Sequence, residues 1–137
     1  MTFYYVDTSA LLKLVHVEVG SPEMRALFKP GDLWLSADIT RTEVPRALAR
    51  LDPGTPPAQR ARVLDGIALI ALDSTLLDLA GRLQPPVLRS LDAIHVVAAL
   101  SLGADLAALI TYDRRLAEAA TLNGLAVLSP GVDLTTS

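Results

Sequence analysis

The chain has 137 residues and 14.6 kDa, is 51% hydrophobic but only 4% aromatic, contains no cysteine and carries a formal net charge of −3. That size suits one domain around one core, residues 1–137, and a cysteine-free chain excludes disulfide staples and thiolate zinc sites. The acidic balance opposes coating of nucleic acid by bulk electrostatics, no apolar run reaches the ~18 residues of a membrane span, and no secretion signal opens the chain, so a cytoplasmic protein without membrane association is expected.

In chain order, the short apolar run Phe3–Val6 reads as a strand that stops at Asp7, with a brief helix after Thr8. The periodicity then predicts a helix over Ser21–Phe28, a strand over Leu33–Leu35, and helices over Ala37–Leu51 and Pro57–Gly66. A third strand over Leu69–Leu72 precedes helices over Thr75–Leu83 and Arg89–Leu102, and a fourth strand spans Leu106–Thr111. A helix over Arg114–Leu122, closed by Gly124, leads to a last strand at Ala126–Leu128 and a short polar tail. Strands alternating with helices point to an α/β fold with a mainly parallel sheet. With so few aromatics, Leu, Ala, Val and Ile must build its core. Leucine-rich helices such as TLLDLAGRL carry more apolar surface than one core covers.

The carboxylates have a shared address. In an open parallel sheet every strand ends on one edge, and ligands bind in the crevice outside those ends. Asp7 and Asp113 lie just past two strand ends, and Asp92 opens the helix that returns the chain to the foot of the fourth strand. Glu43 follows the second strand by about two turns, and Pro45 should kink or restart that helix and keep Glu43 near the rim. Each acid also has a plainer reading. Asp7 and Asp113 suit helix caps, Asp92 suits the helix dipole behind a Ser90 cap, and a mid-helix Glu43 suits solvent. Asp73, which also ends a strand, is read as a cap. Convergence alters the balance, because three or four carboxylates on one rim repel unless protons or a cation offset their charge. A hard divalent ion such as Mg²⁺ or Mn²⁺ takes oxygen ligands and can activate water against a phosphodiester.

These stretches, YVDTSALLKL with Asp7, TRTEVPRAL with Glu43, RSLDAIHVVAAL with Asp92 and LITYDRRLAEAA with Asp113, resemble the PIN domain. In order and spacing they are most similar to VapC toxins, the ribonuclease halves of type II toxin–antitoxin pairs. The resemblance runs over nearly the whole chain. It implies a three-layer α/β sandwich with a parallel five-stranded sheet of order 3-2-1-4-5 and the site between the first and fourth strands. It implies an Mg²⁺- or Mn²⁺-dependent endoribonuclease acting on structured transfer or ribosomal RNA. Asp7, Glu43, Asp92 and Asp113 would form the acidic quartet, with Ser9 and Thr111 as nearby hydroxyls and Arg46 touching a carboxylate or a substrate phosphate. Implied partners are a second copy of the chain and a VapB-like antitoxin, through which alone DNA would be contacted. Pro45 departs from the ordinary helix former of many relatives and bears on the placement of Glu43.

His95, three residues past Asp92, is read as structural, His16 carries less weight, and Tyr112 and Trp34 are read as packing residues rather than base-stacking platforms. Two other readings remain. One is a degenerate PIN scaffold that binds RNA or protein without catalysis. The other is an Mg²⁺-dependent phosphoryl-transfer domain, disfavoured because YVDTS has a single acid and AVLSPG lacks a lysine.

Overall fold

The computed structural model describes residues 2–134, so the end of the polar tail, 135–137, lies outside the described residues. Five parallel strands, β1 (Phe3–Val6), β2 (Leu33–Ala37), β3 (Ala68–Ile70), β4 (Leu106–Ile110) and β5 (Val127–Leu128), form one sheet of order β3-β2-β1-β4-β5. The expected order is therefore observed. It also differs from the 2-1-3-4-5 arrangement of flavodoxin-like receivers, which removes the receiver form of the phosphoryl-transfer reading.

Seven α-helices accompany the strands among the described residues: α1 (Thr8–Lys13), α2 (Ser21–Leu27), α3 (Thr40–Leu51), α4 (Pro57–Ala61), α5 (Ser74–Gly81), α6 (Ser90–Leu100) and α7 (Arg114–Leu122). Successive side chains of a strand point to opposite faces, and here both faces are covered. Tyr5 and Leu109 pack with Leu76, Val96 and Leu116 of α5, α6 and α7, whereas Val6 and Ile110 pack with Leu11, Met24, Val44 and Leu48 of α1, α2 and α3. Buried Ala93, Ala98, Ala99, Ala119 and Ala120 bring α6 and α7 close to the sheet, as a core poor in aromatics requires. Trp34 is 1% exposed and lies against Tyr4 and Phe28, so its packing role is observed.

Several boundaries differ from the sequence reading. β2 runs on to Ala37, and α3 starts only at Thr40, because the buried Thr40 hydroxyl donates to the Ala37 carbonyl and turns the chain there. Glu43 consequently sits in the first turn of α3, not two turns beyond the strand. Pro45 neither breaks nor restarts α3. It forfeits one bond to the carbonyl of Arg41, and Arg41 is exposed to water that can serve it instead. The predicted helix over Pro57–Gly66 is a single α turn followed by a 3₁₀ turn over Arg62–Leu64, for it has no buried residue to hold a longer helix. β3 closes at Ile70 rather than Leu72, β4 at Ile110 rather than Thr111, and α5 at Gly81 rather than Leu83. α2 is likewise shorter by one residue and α6 by three, and β5 begins at Val127.

Candidate active site

The chain runs outward from β1 through β2 to β3, then crosses back to place β4 on the other side of β1. This reversal opens a crevice between the carboxyl ends of β1 and β4, where Asp7 and Asp113 leave the sheet. Both do cap helices. Asp7 Oδ1 accepts from the Ala10 N–H at 3.0 Å, and Asp113 Oδ1 accepts from the Arg115 and Leu116 N–H groups at 2.9 and 3.4 Å. Asp73 caps α5 in the same way, through the Leu76 N–H at 2.9 Å. What sets Asp73 apart is its strand: β3 is an edge of the sheet, remote from the reversal.

Capping does not exhaust Asp7. It is 4% exposed, and a web of hydroxyls ties it to the end of β4. Ser9 Oγ donates to Asp7 Oδ1 at 2.7 Å, and the fully buried Thr111 Oγ1 donates to Oδ2 at 2.7 Å. Thr111 Oγ1 in turn accepts from the Asp113 N–H at 3.0 Å, Ser9 Oγ accepts from the Tyr112 N–H at 2.8 Å, and the two hydroxyls lie 3.2 Å apart. The two strand ends are thus cross-linked through Asp7. Even so, burial raises the Asp7 carboxyl above its ordinary value, against the opposing pull of His95 and of these hydrogen bonds. The site holds a carboxylate that its surroundings do not fully neutralise.

Asp92 lies in the first turn of α6 and is 8% exposed. Burial, and then the negative charge of Asp113, raise its carboxyl above the usual range, while Arg89 opposes the shift. Arg89 reaches both acids, with Nε 3.4 Å from Asp92 Oδ2 and Nη2 3.9 Å from Asp113 Oδ2. Glu43 projects from α3, and its Oε1 accepts from the Thr8 hydroxyl at 2.9 Å and lies 2.8 Å from His95 Nε2. Although burial works the other way, His95 and Thr8 together hold the Glu43 carboxyl below its usual range.

All four sequence-predicted acids therefore come to one end of the sheet, with Ser9 and Thr111 bonded to Asp7. Of the two contacts expected of Arg46, a carboxylate or a substrate phosphate, the first is absent among the described residues, which leaves the second. It is exposed on α3 and makes no ion pair among the described residues. Four partners were missed: Tyr5, Thr8, Arg89 and the polar role of His95. Arg89 had a signal, an arginine three residues before Asp92 at the same helix start; Tyr5 had none, since FYYV reads only as a buried strand. A cavity of about 790 Å³ beside α7 is walled by Ala117, Thr121, Leu122 and Val132 and by none of the four acids, so the carboxylates rather than this cavity mark the site.

Among the described residues no group of three or more histidine, aspartate or glutamate side chains is arranged so that it could hold a metal ion. The donor chemistry nevertheless suits a hard divalent cation: the rim offers carboxylate and hydroxyl oxygens, two acids whose charge is poorly compensated, and no sulfur. Mg²⁺ in particular binds through one or two carboxylates and keeps several waters, so a closed protein shell is not required.

The titrations have a testable sign. His95 is 3% exposed, and although burial disfavours its charge, the bond to Glu43 and the charges of Asp7, Glu43 and Asp92 raise its value above 6.5. Its contribution to stability is complete below 6.5 and is lost as pH rises through the folded value. The raised Asp7 and Asp92 act in the same direction from their unfolded value of 3.8, while the lowered Glu43 contributes above 4.5 and loses that only as pH falls. Protein in EDTA should therefore melt at a higher temperature near about pH 6 than near about pH 8.5. A higher melting point on the alkaline side would contradict these assignments.

Comparison with known proteins places the chain in a consistent setting. A family model described as PIN domain matches residues 4–122. Ribonuclease VapC46 of Mycobacterium tuberculosis is 42% identical over 132 residues, covering 95% of this chain and 99% of the relative. Ribonuclease VapC35 of the same species is 40% identical over 131 residues, covering 93% and 96%. Among solved structures, the sarcin–ricin loop cleaving toxin VapC20 of M. tuberculosis superposes with a TM-score of 0.70 at 16% identity, covering 93% of this chain and 99% of the other. VapBC2 of Rickettsia felis, solved bound to a fragment of its promoter DNA, has a chain that superposes with a TM-score of 0.67 at 11% identity, covering 93% and 98%. At such identities these two structures attest the fold.

Proposed function

The chain belongs to the PIN-domain family, among proteins named ribonuclease VapC, and from that membership we propose that it is a metal-dependent endoribonuclease, the toxin of a toxin–antitoxin pair. The observation that supports this best is the convergence of Asp7, Asp92, Asp113 and Glu43 at the sheet reversal, where burial raises the carboxyls of Asp7 and Asp92. Asp7, Asp92, Asp113 and Glu43 would hold Mg²⁺ or Mn²⁺, directly or through water. When bound, such an ion supplies charge neutralisation for the scissile phosphate and lowers the pKa of a coordinated water. Thr111 and Ser9 keep Asp7 oriented, and Thr8 and His95 do so for Glu43. The depressed Glu43 stays ionised and, with Asp113, orients the attacking water in line with the phosphodiester. Arg89, 59% exposed at the start of α6, would meet the RNA backbone, a more local device than the chain's net negative charge could provide.

The substrate is proposed to be structured transfer or ribosomal RNA in the cytoplasm, in keeping with a fold neighbour named for sarcin–ricin loop cleavage. A VapB-like antitoxin partner accords with VapBC complexes among the fold neighbours, and the antitoxin would carry the contact with DNA. Exposed apolar side chains offer surface for it and for a second copy of the chain, including Val15, Val17, Val19 and Phe28 on one flank and Leu77, Leu79 and Leu100 on another.

Purified protein incubated with total cellular RNA in Mg²⁺ or Mn²⁺ should yield discrete fragments. Those fragments should be absent with EDTA, with a folded Asp92→Asn variant, or with the cognate antitoxin added. Intact RNA after incubation with folded, antitoxin-free protein in both metals would sink the proposal and leave a non-catalytic PIN scaffold.

A further inference from the structure

His95 is better connected than a residue that merely fills space. It stands on α6, one turn past Asp92, and both of its ring nitrogens are engaged: Nδ1 lies 2.6 Å from the Tyr5 hydroxyl and Nε2 lies 2.8 Å from Glu43 Oε1. Tyr5 is fully buried in β1, two residues before Asp7, so its side chain leaves the same face of the strand as Asp7. Glu43 belongs to α3, whose Val44 and Leu48 pack in the layer on the other face of the sheet, while His95's neighbour Val96 packs in the first layer. The imidazole therefore joins the two helical layers at the carboxyl edge of the sheet. It is wedged between a core tyrosine and a rim carboxylate, with only 3% of its surface exposed.

This arrangement determines which part of Glu43 is available. Oε1 is held by the Thr8 hydroxyl at 2.9 Å and by His95, whereas Oε2 has no hydrogen-bond partner among the described residues. A carboxylate gripped by one oxygen presents the other in a fixed direction. Holding it so in advance removes an ordering cost that binding would otherwise incur. We infer that His95 is a positioning residue: anchored by Tyr5, it fixes Oε1 of Glu43 so that Oε2 is presented to a divalent cation at the acidic rim. The inference rests on the ribonuclease reading and extends it from the four acids to the Tyr5–His95–Glu43 chain behind them.

Two amide substitutions separate positioning from simple packing. The side-chain amide of His95→Gln reaches the place of Nε2 and can still donate to Glu43, whereas that of His95→Asn reaches only the place of Nδ1 and leaves Glu43 to Thr8 alone. Mn²⁺ affinity, measured by calorimetry on metal-stripped protein shown by circular dichroism to be folded, should fall about 10–100-fold in His95→Asn and be largely restored in His95→Gln. The RNA cleavage kcat should follow the same order with KM for RNA little changed. Wild-type Mn²⁺ affinity in a folded His95→Asn, or equal losses in the two variants, would overturn the inference. Should His95→Asn fail to fold, Tyr5→Phe decides instead, since it frees one end of the imidazole at nearly constant volume. Wild-type Mn²⁺ affinity there would also overturn the proposal, and a clear loss would support it. A wild-type protein that bound no Mn²⁺ and cut no RNA would instead refute the ribonuclease reading itself, an outcome read before any variant is compared.

Discussion

Asp7→Asn is expected to abolish RNA cleavage and, in the same sample stripped of metal, to raise the melting temperature. The first effect should reach at least about 100-fold, the largest loss seen when even an outer-shell partner of a metal is removed. The second follows from the sign of the titration. Burial holds the Asp7 carboxyl above its ordinary value, so at neutral pH its ionised form weakens the fold, and its contribution to stability falls as pH climbs through the folded value. Asparagine removes that charge and retains most of the bonding. Its oxygen still accepts from Ala10 and Ser9, and its amide can donate to Thr111 Oγ1, whose own proton turns to Ser9 Oγ 3.2 Å away. For a chain of this size each kcal/mol gained raises the melting temperature by about 2–8 °C, so the sign of the change is readable in a thermal melt. Cleavage at the wild-type rate would remove Asp7 from the chemistry. A lower melting point would show that the hydrogen bonds outweigh the burial of the charge.

Trp34→Ala should be the most damaging single truncation of the core, costing about 3–5 kcal/mol and lowering the melting temperature by roughly 10–20 °C. Trp34 is the bulkiest of the fully buried side chains and closes the layer formed by α1, α2 and α3 against the sheet. Its indole Nε1–H has no hydrogen-bond partner among the described residues, so one part of the side chain opposes its own burial. Trp34→Phe, which discards that orphan donor with part of the ring, should therefore cost only about 1–2 kcal/mol. Thermal melts of the two variants test this. If phenylalanine were as harmful as alanine, the Nε1–H would have a partner after all, such as an ordered water. RNA binding by folded Trp34→Phe should match the wild type, as expected of a packing residue.

The fold was legible at the level of elements because the apolar runs and helical periods are strong: β1 and α7 begin and end as their patterns predict. Ends decided by a single polar bond were not legible. Periodicity extends the helix around Glu43 back to Ala37, whereas the Thr40 hydroxyl bonded to the Ala37 carbonyl lets the strand run on and moves the helix start. Pro45 misled for a related reason, since one missing donor near the start of a helix, beneath an exposed carbonyl, is too small a loss to break a segment whose other face is buried.

Residue order alone dictates the alternation that makes a two-sided parallel sheet, and it picks out four acids in the order of a known family. It could not distinguish Asp7 from Asp73, because each ends a strand and caps the next helix through the same local bond, and local chemistry is all that neighbouring residues report. Only the strand order made that distinction, placing β1 beside β4 and leaving β3 at the edge. The Tyr5–His95–Glu43 chain likewise exists only in three dimensions. Its members lie 90 and 52 positions apart in sequence, so the bonds that give a buried histidine a polar role form only when both helical layers close on the sheet.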